Sequence, residues 1–404
     1  MYLPPNVHVC IEALEKEGFS CYAVGGCVRD ALLGLTPHDY DLCTAAKPET
    51  IARVFAGHDL VRSGEKHGTI GVVTEAEVVE ITTFRTEGDY RDNRHPEWVE
   101  FVTDIEKDLA RRDFTVNAMA WSPKRGFADP FGGREDLKNN ILRAVGDPVR
   151  RFREDSLRIL RGIRFAVRYG LAVEEETFRA MHTEAHLMDN LARERVFEEL
   201  CKLIPGMQLE DLLRFANILA AVIPELEPMI GFDQRSPHHA YDLYTHVAHV
   251  VSAVPKDLTL RWAALLHDIG KVPTFTRDET GRGHFYGHAP KGAEMADEVL
   301  RRLKAPTALR QQVVLLIEKH MLRLTPDKKM LRRQIGQLGW NTVEQLLELQ
   351  KADMSSKGTG NPEELEIFEQ IRGILEEIRG EGSCLSLKDL AVKGNDLMAL
   401  GFTG

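Results

Sequence analysis

The residues best suited to chemistry come early. Val24-Gly25-Gly26-Cys27-Val28-Arg29-Asp30 is followed closely by Asp39-Tyr40-Asp41. Alternate residues of an extended segment share a face, so Asp39 and Asp41 point the same way. Two carboxylates side by side repel unless cations lie between them. Hard oxygen ligands at this spacing suit Mg²⁺, which keeps waters and completes its shell with substrate phosphates. The glycine pair predicts a turn that leaves Gly25 and Gly26 N–H groups open to a phosphate at a helix start, with Arg29 adding charge one turn in. Glu80, in the β-branched run Glu77-Val78-Val79-Glu80-Ile81-Thr82-Thr83, is a candidate third carboxylate, although a strand-edge glutamate is more often only solvated.

A second group is rich in arginine. Arg111-Arg112-Asp113 precedes Glu154-Asp155-Ser156-Leu157-Arg158-Ile159-Leu160-Arg161-Gly162-Ile163-Arg164, which reads as one helix with Glu154, Arg158 and Arg161 on a shared face. In isolation that pattern describes a solvated, salt-bridged helix. The composition argues otherwise: between Arg143 and Gly170 there are eight arginines, three acids and no lysine. Guanidinium groups suit planar, bidentate recognition of bases and phosphates. Cytosine and adenine each present an amino donor beside a ring-nitrogen acceptor, so a carboxylate and a guanidinium pair with either. Uracil and guanine reverse that order and would leave both side chains unpaired, a discrimination on the order of 10⁴-fold where a site is built around the bond. Asp155 with Arg158 therefore reads as a selector for CTP and ATP.

The elements that must position these groups follow from the local pattern. Phe19–Val24 reads as a buried strand and Val28–Leu33 as a helix that Gly34 ends. Arg85–Trp98 is polar, contains Gly88 and Pro96, and reads as a long loop. Residues 1 to about 140 mix strands and helices, and from Ile141 helical periodicity takes over. Breaks fall near Asp129–Gly133, Pro205 and Ser355–Gly358. At 404 residues, 43% hydrophobic and 28% charged, the chain has the composition of a multidomain globular protein. A net charge of −10 excludes a generally basic surface, so any nucleic-acid contact must be a local patch. No apolar run reaches membrane-spanning length and the start lacks a signal-peptide pattern. Six cysteines without a Cys-x-x-Cys pair read as reduced thiols, which implies a cytoplasmic protein.

In their order, these motifs resemble the bacterial class II tRNA nucleotidyltransferases, the CCA-adding enzymes. Gly64-Glu65-Lys66-His67-Gly68-Thr69-Ile70 and the Arg85–Trp98 loop are similar to the same family, and the match covers roughly the first 170 residues. The resemblance implies an α+β fold: a polymerase-beta-like head (1–140), an all-α neck (141–205), an HD-type helical body (206–355) and a short helical tail (356–404). It assigns Mg²⁺ to Asp39 and Asp41, the triphosphate to Gly26, Arg29 and Arg112, and base and RNA contacts to Asp155, Arg158, Arg161 and Arg164. It makes the loop necessary for the switch from C to A, and it names CTP, ATP and the tRNA acceptor end as partners, with no membrane. The rival is a poly(A) polymerase on the same head. Lys66-His67-Gly68-Thr69 and the acidic segment 362–382 favour CCA addition.

Further on, His246, His267-Asp268, His288, His320 and Asp353 resemble the HD phosphohydrolase domain, whose ligands run in that order. A lone histidine on an apolar helix is usually a core residue, but six ligands in family order imply a metal site. Imidazole with carboxylate suits Ni²⁺, Mn²⁺, Co²⁺ or Fe²⁺. Metal-bound water would cleave phosphomonoesters or 2′,3′-cyclic phosphates. A chain whose head merely binds RNA while this site turns over is the second alternative. The family continues with further helix beyond Leu400-Gly401-Phe402-Thr403-Gly404, so a shorter form or a truncated chain is expected. The oligomeric state is left open.

Overall fold

Short apolar strands between glycine turns, then long amphipathic helices, divide the chain into two compact units, Met1–Glu199 and Leu200–Gly404. The computed structural model describes residues 1–88, 98–236, 240–358, 362–381 and 398. Most of the loop expected between Arg85 and Trp98 and most of the tail, including its end at 400–404, lie outside the described residues.

The first unit opens with α1 (Pro5–Lys16), β1 (Cys21–Val24) and α2 (Gly26–Leu32). Next come β2 (Leu42–Thr44), α3 (Pro48–Val54), β3 (Leu60–Val61), β4 (Thr69–Val73) and β5 (Val78–Thr83). A hairpin of β6 (Arg85–Glu87) and β7 (Val99–Phe101) precedes α4 (Ile105–Ala110), β8 (Ala120–Ser122) and β9 (Gly126–Ala128). Seven of these strands form one sheet, in the order β3-β4-β5-β2-β1-β8-β9. β2 runs parallel to β5 with Leu42 opposite Ile81, while β1 is antiparallel to both β2 and β8. Burial alternates along β5: Val79, Ile81 and Thr83 point inward, and Glu80 faces out. The core beneath gathers Tyr22, Val24, Cys43, Phe84, Leu109 and Val145.

The segment expected as a neck belongs to this same unit as far as Glu199. After α5 (Gly133–Lys138), it comprises β10 (Ile141–Leu142), α6 (Pro148–Glu154), α7 (Leu157–Tyr169), β11 (Ala172–Val173) and α8 (Glu175–Thr183), and α9 (Arg193–Leu203) runs across the division. Four expectations need correction. The early helix begins at Gly26, two residues ahead of Val28, because Gly25 supplies the left-handed turn that launches it. Arg85–Glu87 is strand, paired with Val99–Phe101, and not loop. The neck is not wholly helical, since Ile141–Leu142 pairs in parallel with Ala172–Val173. The arginine-rich helix is two helices: Asp155 is extended (φ −144°, ψ 102°) and its carboxylate accepts from the Leu157 N–H at 3.1 Å. Asp-Ser ahead of an apolar run is a helix-start signal, which the arginine spacing concealed.

The second unit continues with α10 (Leu209–Arg214), α11 (Ala216–Val222), α12 (Leu243–Ala253), α13 (Leu258–Leu266) and a small hairpin, β12 (Thr276–Arg277) with β13 (Gly283–His284). Then follow α14 (His288–Arg302), α15 (Thr307–Lys319), α16 (Lys328–Leu338), α17 (Trp340–Ser355) and α18 (Pro362–Gly380). Asp242, Asp257 and Asp327 cap α12, α13 and α16 by accepting from the N–H three residues on, worth about 1 kcal/mol each. Val247, Trp262, Leu266, Ile317 and Leu346 are fully buried at its centre. Among the described residues, no helix is long and apolar enough to cross a membrane.

Candidate functional site

In the first unit the candidate site lies where β1, β2 and β5 adjoin. Asp41 immediately precedes β2, and one step back from the Leu42–Ile81 pairing sets it alongside Glu80 on the open side of the sheet. The surrounding protein raises the Asp41 carboxyl above its usual pKa; Glu80 and Asp39 add to the rise and Arg112 opposes it. All three acids thus act on one locality, and a divalent cation would relieve their repulsion. The residues present fit a hard cation with oxygen ligands.

Arg112 is the cation the sequence brings there. A Cβ on Gly25 would stand 2.7 Å from Arg112 Nη1, so the guanidinium lies directly over the glycine turn. Gly25 also has φ +76° and ψ −122°, a conformation that L side chains rarely adopt. One expectation changes here. The Gly25 N–H is not open to a phosphate, because it donates to Met119 O at 3.0 Å; what Gly25 supplies is its conformation and the room for Arg112.

Arg29 also differs from expectation. It is 5% exposed, and its guanidinium donates to Asp30 at 2.7 and 2.8 Å, to Asn117 Oδ1 at 2.5 Å and to the Tyr169 hydroxyl at 2.6 Å. It also lies 4.3 Å from the Tyr169 ring centroid. A buried guanidinium gathers acceptors, and here they come from its own helix, from the segment before β8 and from the end of α7. Arg29 therefore fastens the turn to its surroundings, with its donors engaged inside the protein.

Asp155 and Arg158, the residues expected to select the base, are joined through the backbone, the Arg158 N–H donating to Asp155 O at 3.0 Å, while their side chains have other partners. Asp155 Oδ2 accepts from Arg195 Nη2 at 3.1 Å. Arg158, 9% exposed, donates to Glu154 Oε2 at 2.8 Å and to the backbone carbonyls of Arg151 and Arg111 at 3.0 and 3.1 Å. Arg161 donates to Asp113 Oδ2 at 2.7 and 3.0 Å, and Arg164 pairs with Glu199. Burial alone would raise the Asp113 carboxyl, but Arg161 and the Asn117 side chain hold it well below the ordinary carboxylate range. Sequence reasoning missed the roles of Asp113, Asn117, Tyr169 and Arg195 because each has a partner tens of residues away, although Asn117 also donates to Asp113 four residues back. Asp113, within the Arg-Arg-Asp run, was the one with a local signal.

In the second unit all six expected residues meet. His246 Nε2 lies 3.0 Å from Asp353 Oδ1 and 3.6 Å from Asp268 Oδ2. His267 Nε2 is 3.2 Å from Asp268 Oδ2, and His288 Nε2 is 3.7 Å from Asp268 Oδ1 and 3.2 Å from His320 Nε2. Asp268 is shared by two groups able to hold an ion, one with His246 and His267, the other with His288 and His320. Every ring is oriented alike. Nδ1 of His246, His267, His288 and His320 faces the carbonyl of Ser356, Ala264, Phe285 and Ile317, respectively, at 2.6 to 3.3 Å. A carbonyl only accepts, so Nδ1 carries a proton and Nε2, whenever the ring is neutral, presents its lone pair inward, the arrangement of metal-binding histidines; burial opposes a second proton on His267, but Asp268 and Asp353 raise its pKa. Burial pushes His320 down to about 4, which keeps that ring neutral. Lys271, which the sequence reading did not include, lies 2.7 Å from Asp268 Oδ2; its place one turn on in His-Asp-Ile-Gly-Lys was the available signal. Burial opposes ionisation of Asp268, yet His267 and Lys271 hold its pKa well below normal.

Comparison with known proteins follows the same order along the chain. Residues 21–143 match the Poly A polymerase head domain, 170–230 the Probable RNA and SrmB- binding site of polymerase A, and 239–355 the HD domain. The chain is 38% identical over 258 residues to the CCA-adding enzyme of Ligilactobacillus salivarius (strain UCC118), covering 62% of this chain and 63% of that protein. It is 47% identical over 201 residues to the CCA-adding enzyme of Lactococcus lactis subsp. cremoris (strain MG1363), covering 49% and 50%. The matched stretch thus spans only half to about five-eighths of these curated relatives' own length. The crystal structure of the Bacillus stearothermophilus CCA-adding enzyme in complex with CTP superposes with a TM-score of 0.68 at 27% identity, over 100% of this chain and 89% of that one. A CCA-adding enzyme solved with ATP shares the fold at a TM-score of 0.61 and 21% identity, over 100% and 87%. The head, the RNA-binding segment and the HD domain are thus matched in this order, and over these stretches the chain is similar to CCA-adding enzymes.

Proposed function

We propose that the chain adds C, C and A to the 3′ end of tRNA from CTP and ATP, in the cytoplasm and without a nucleic-acid template. The observation that carries this reading is the convergence of Asp41, Glu80 and Arg112 on the glycine turn. The CTP and ATP complexes of related structures support it. Residues 1–140 would act as the head, 141–205 as the neck that holds RNA, 206–355 as the HD body and 356–404 as the tail. Asp39 and Asp41, with Glu80 beside them, would hold Mg²⁺, which neutralises the triphosphate and makes the terminal hydroxyl of tRNA easier to ionise.

The chain's own residues do the rest. Arg112 draws the triphosphate to the Gly25-Gly26 turn, and Arg29 keeps that turn in place through Asp30, Asn117 and Tyr169. Asp155 and Arg158 read the incoming base by exchanging their present partners, Arg195 and Glu154, for its amino group and ring nitrogen. Arg161 and Arg164 maintain the neck surface beside them. Steady-state incorporation into tRNA lacking CCA tests the selector directly. The wild type should use CTP and ATP, and Arg158→Ala should lose most of its preference over UTP. A variant that loses rate but keeps its full preference against UTP would show that another residue selects the base.

A second activity is favoured by the four inward-facing Nε2 atoms around Asp268. His246, His267, Asp268, His288, His320 and Asp353 would hold Ni²⁺, Mn²⁺, Co²⁺ or Fe²⁺, supplying a polarised water for hydrolysis of phosphoesters or RNA ends. Hydrolysis of simple esters with added Mn²⁺, lost in Asp268→Ala, is the expected result; equal turnover by that variant would place the activity elsewhere.

A further inference from the structure

On α4, one turn before Arg111-Arg112, stands a fully buried carboxylate, Asp108. Its two oxygens are used differently. Oδ1 accepts from the Arg85 N–H at 3.2 Å and from Arg111 Nε at 3.0 Å. Glu87 Oε1 accepts from the side chains of the same two arginines at 3.1 and 3.0 Å, so Asp108 is locked to the root of the β6–β7 hairpin. Oδ2 has no hydrogen-bond donor among the described residues, and Arg112 Nη2 stands 3.7 Å from it. Arg112 Nε is likewise buried without an acceptor among the described residues. Buried polar atoms are seldom left so, and each unpaired one asks for an explanation. At 3.7 Å the two charges attract, but the separation is too long for a hydrogen bond. A closer carboxylate would occupy the donors of the guanidinium. Arg29 is the contrast, its donors engaged by Asp30, Asn117 and Tyr169.

We propose that Asp108 is a positioning residue for nucleotide transfer: it fixes Arg112 over the Gly25-Gly26 turn by charge, without hydrogen bonding to it, so that the guanidinium N–H groups stay available to the triphosphate. The rigid hold on Oδ1 is what makes Oδ2 a fixed point for Arg112. This role rests on the reading of Arg112 as a triphosphate ligand and adds the group that aims it.

The test measures KM for CTP and for tRNA lacking CCA, with Mg²⁺, in the wild type, Asp108→Asn, Arg112→Ala and the double variant. Asparagine keeps the shape and one acceptor oxygen but removes the charge. Asp108→Asn should raise KM for CTP about tenfold, within the range found for residues in contact, and leave KM for tRNA unchanged. An equal rise in both would mean that the substitution only loosens α4, and overturns the role. In the Arg112→Ala background the same substitution should change KM for CTP about twofold at most, because the group it aims is gone. The full rise persisting there would show that Asp108 acts through another group, overturning the role while leaving the triphosphate reading standing. An unchanged KM for CTP in Arg112→Ala alone overturns both. A second measurement needs no substitution at Asp108. A crystal structure of the wild type with CTP should show Arg112 on the triphosphate and still beside Asp108. Arg112 on the triphosphate but turned away from Asp108 overturns the positioning role, and Arg112 off the triphosphate overturns the reading beneath it.

Discussion

At the residue scale, the most exacting position is Gly25. Any side chain there meets Arg112 Nη1 at 2.7 Å and must adopt φ +76°. The arginine tip can move aside, but the backbone conformation cannot be relieved so easily. Gly25→Ala should cost about 1–3 kcal/mol of stability, read by urea unfolding, and should lower incorporation further than stability explains, because the displaced guanidinium is the proposed triphosphate ligand. Asp113 offers a pH test. Its folded pKa lies below the unfolded one, so the fold gains stability from its ionised form above the usual carboxylate range, about pH 4, and loses it as pH falls through the folded value. Asp113→Asn should therefore be less stable at neutral pH and should show a shallower loss between about pH 5 and pH 3. Parallel urea titrations at each pH check this, and identical slopes would mean that the Arg161 pair does not hold the proton off. The types and spacing of Asp39, Asp41, Arg112, Asp155 and Arg158 were legible in the sequence because each stands in a short motif. The engagement of Arg29 was not, since one of its acceptors is Tyr169, 140 residues away.

At the element scale, two close approaches position the chemistry. A Cβ on Gly270 would sit 2.2 Å from His288 O and 2.5 Å from Gly292 N, so this glycine lets the start of α14 press against the His267-Asp268 turn. Gly270→Ala must push α14 outward, with a cost of about 1–3 kcal/mol for overpacking, and should lower Mn²⁺ affinity by calorimetry because His288 moves with the helix. The break between α6 and α7 works differently. It leaves Asp155 extended between the two helices, its carbonyl accepting from the Arg158 N–H at 3.0 Å and its carboxylate facing Leu157 and Arg195 and, in the proposed reaction, a base. Strand existence and helix periodicity were readable; the break was marked only by Asp-Ser, which the arginine spacing concealed, and the Arg85–Glu87 strand is decided by its pairing with Val99–Phe101. The hairpin also refines the loop experiment. Glu87 Oε1 accepts from Arg111 Nη1 at 3.0 Å, so deletion should spare Arg85–Glu87 and Trp98. Replacing residues 89–97 with a short glycine-serine link should retain C addition and lose A addition, as measured on denaturing gels; equal loss of both would contradict the assigned role.

At the scale of the whole molecule, an acidic chain of net charge −10 concentrates eight arginines between Arg143 and Gly170 in the first unit and carries the six His and Asp residues of the second candidate metal site in the other unit. Metal binding should therefore act on the two units separately. Ni²⁺ or Mn²⁺ at a hundredfold excess over its dissociation constant should stabilise the second unit by about 2.7 kcal/mol, seen by calorimetry as an upward shift of one transition that chelation reverses. His246→Ala should abolish that shift, and a shift of both transitions would contradict independent sites. The division at Glu199 was not visible in composition, since helical periodicity runs unbroken through α9. The central claim concerns what the head makes. The most direct measurement is to sequence the 3′ ends of tRNA lacking CCA after incubation with all four nucleoside triphosphates and Mg²⁺, for the wild type and for Asp39→Ala/Asp41→Ala. Ends that read CCA and stop, present only with the wild type, are the expected result. Long A tracts, or the same ends from the double variant, would contradict it.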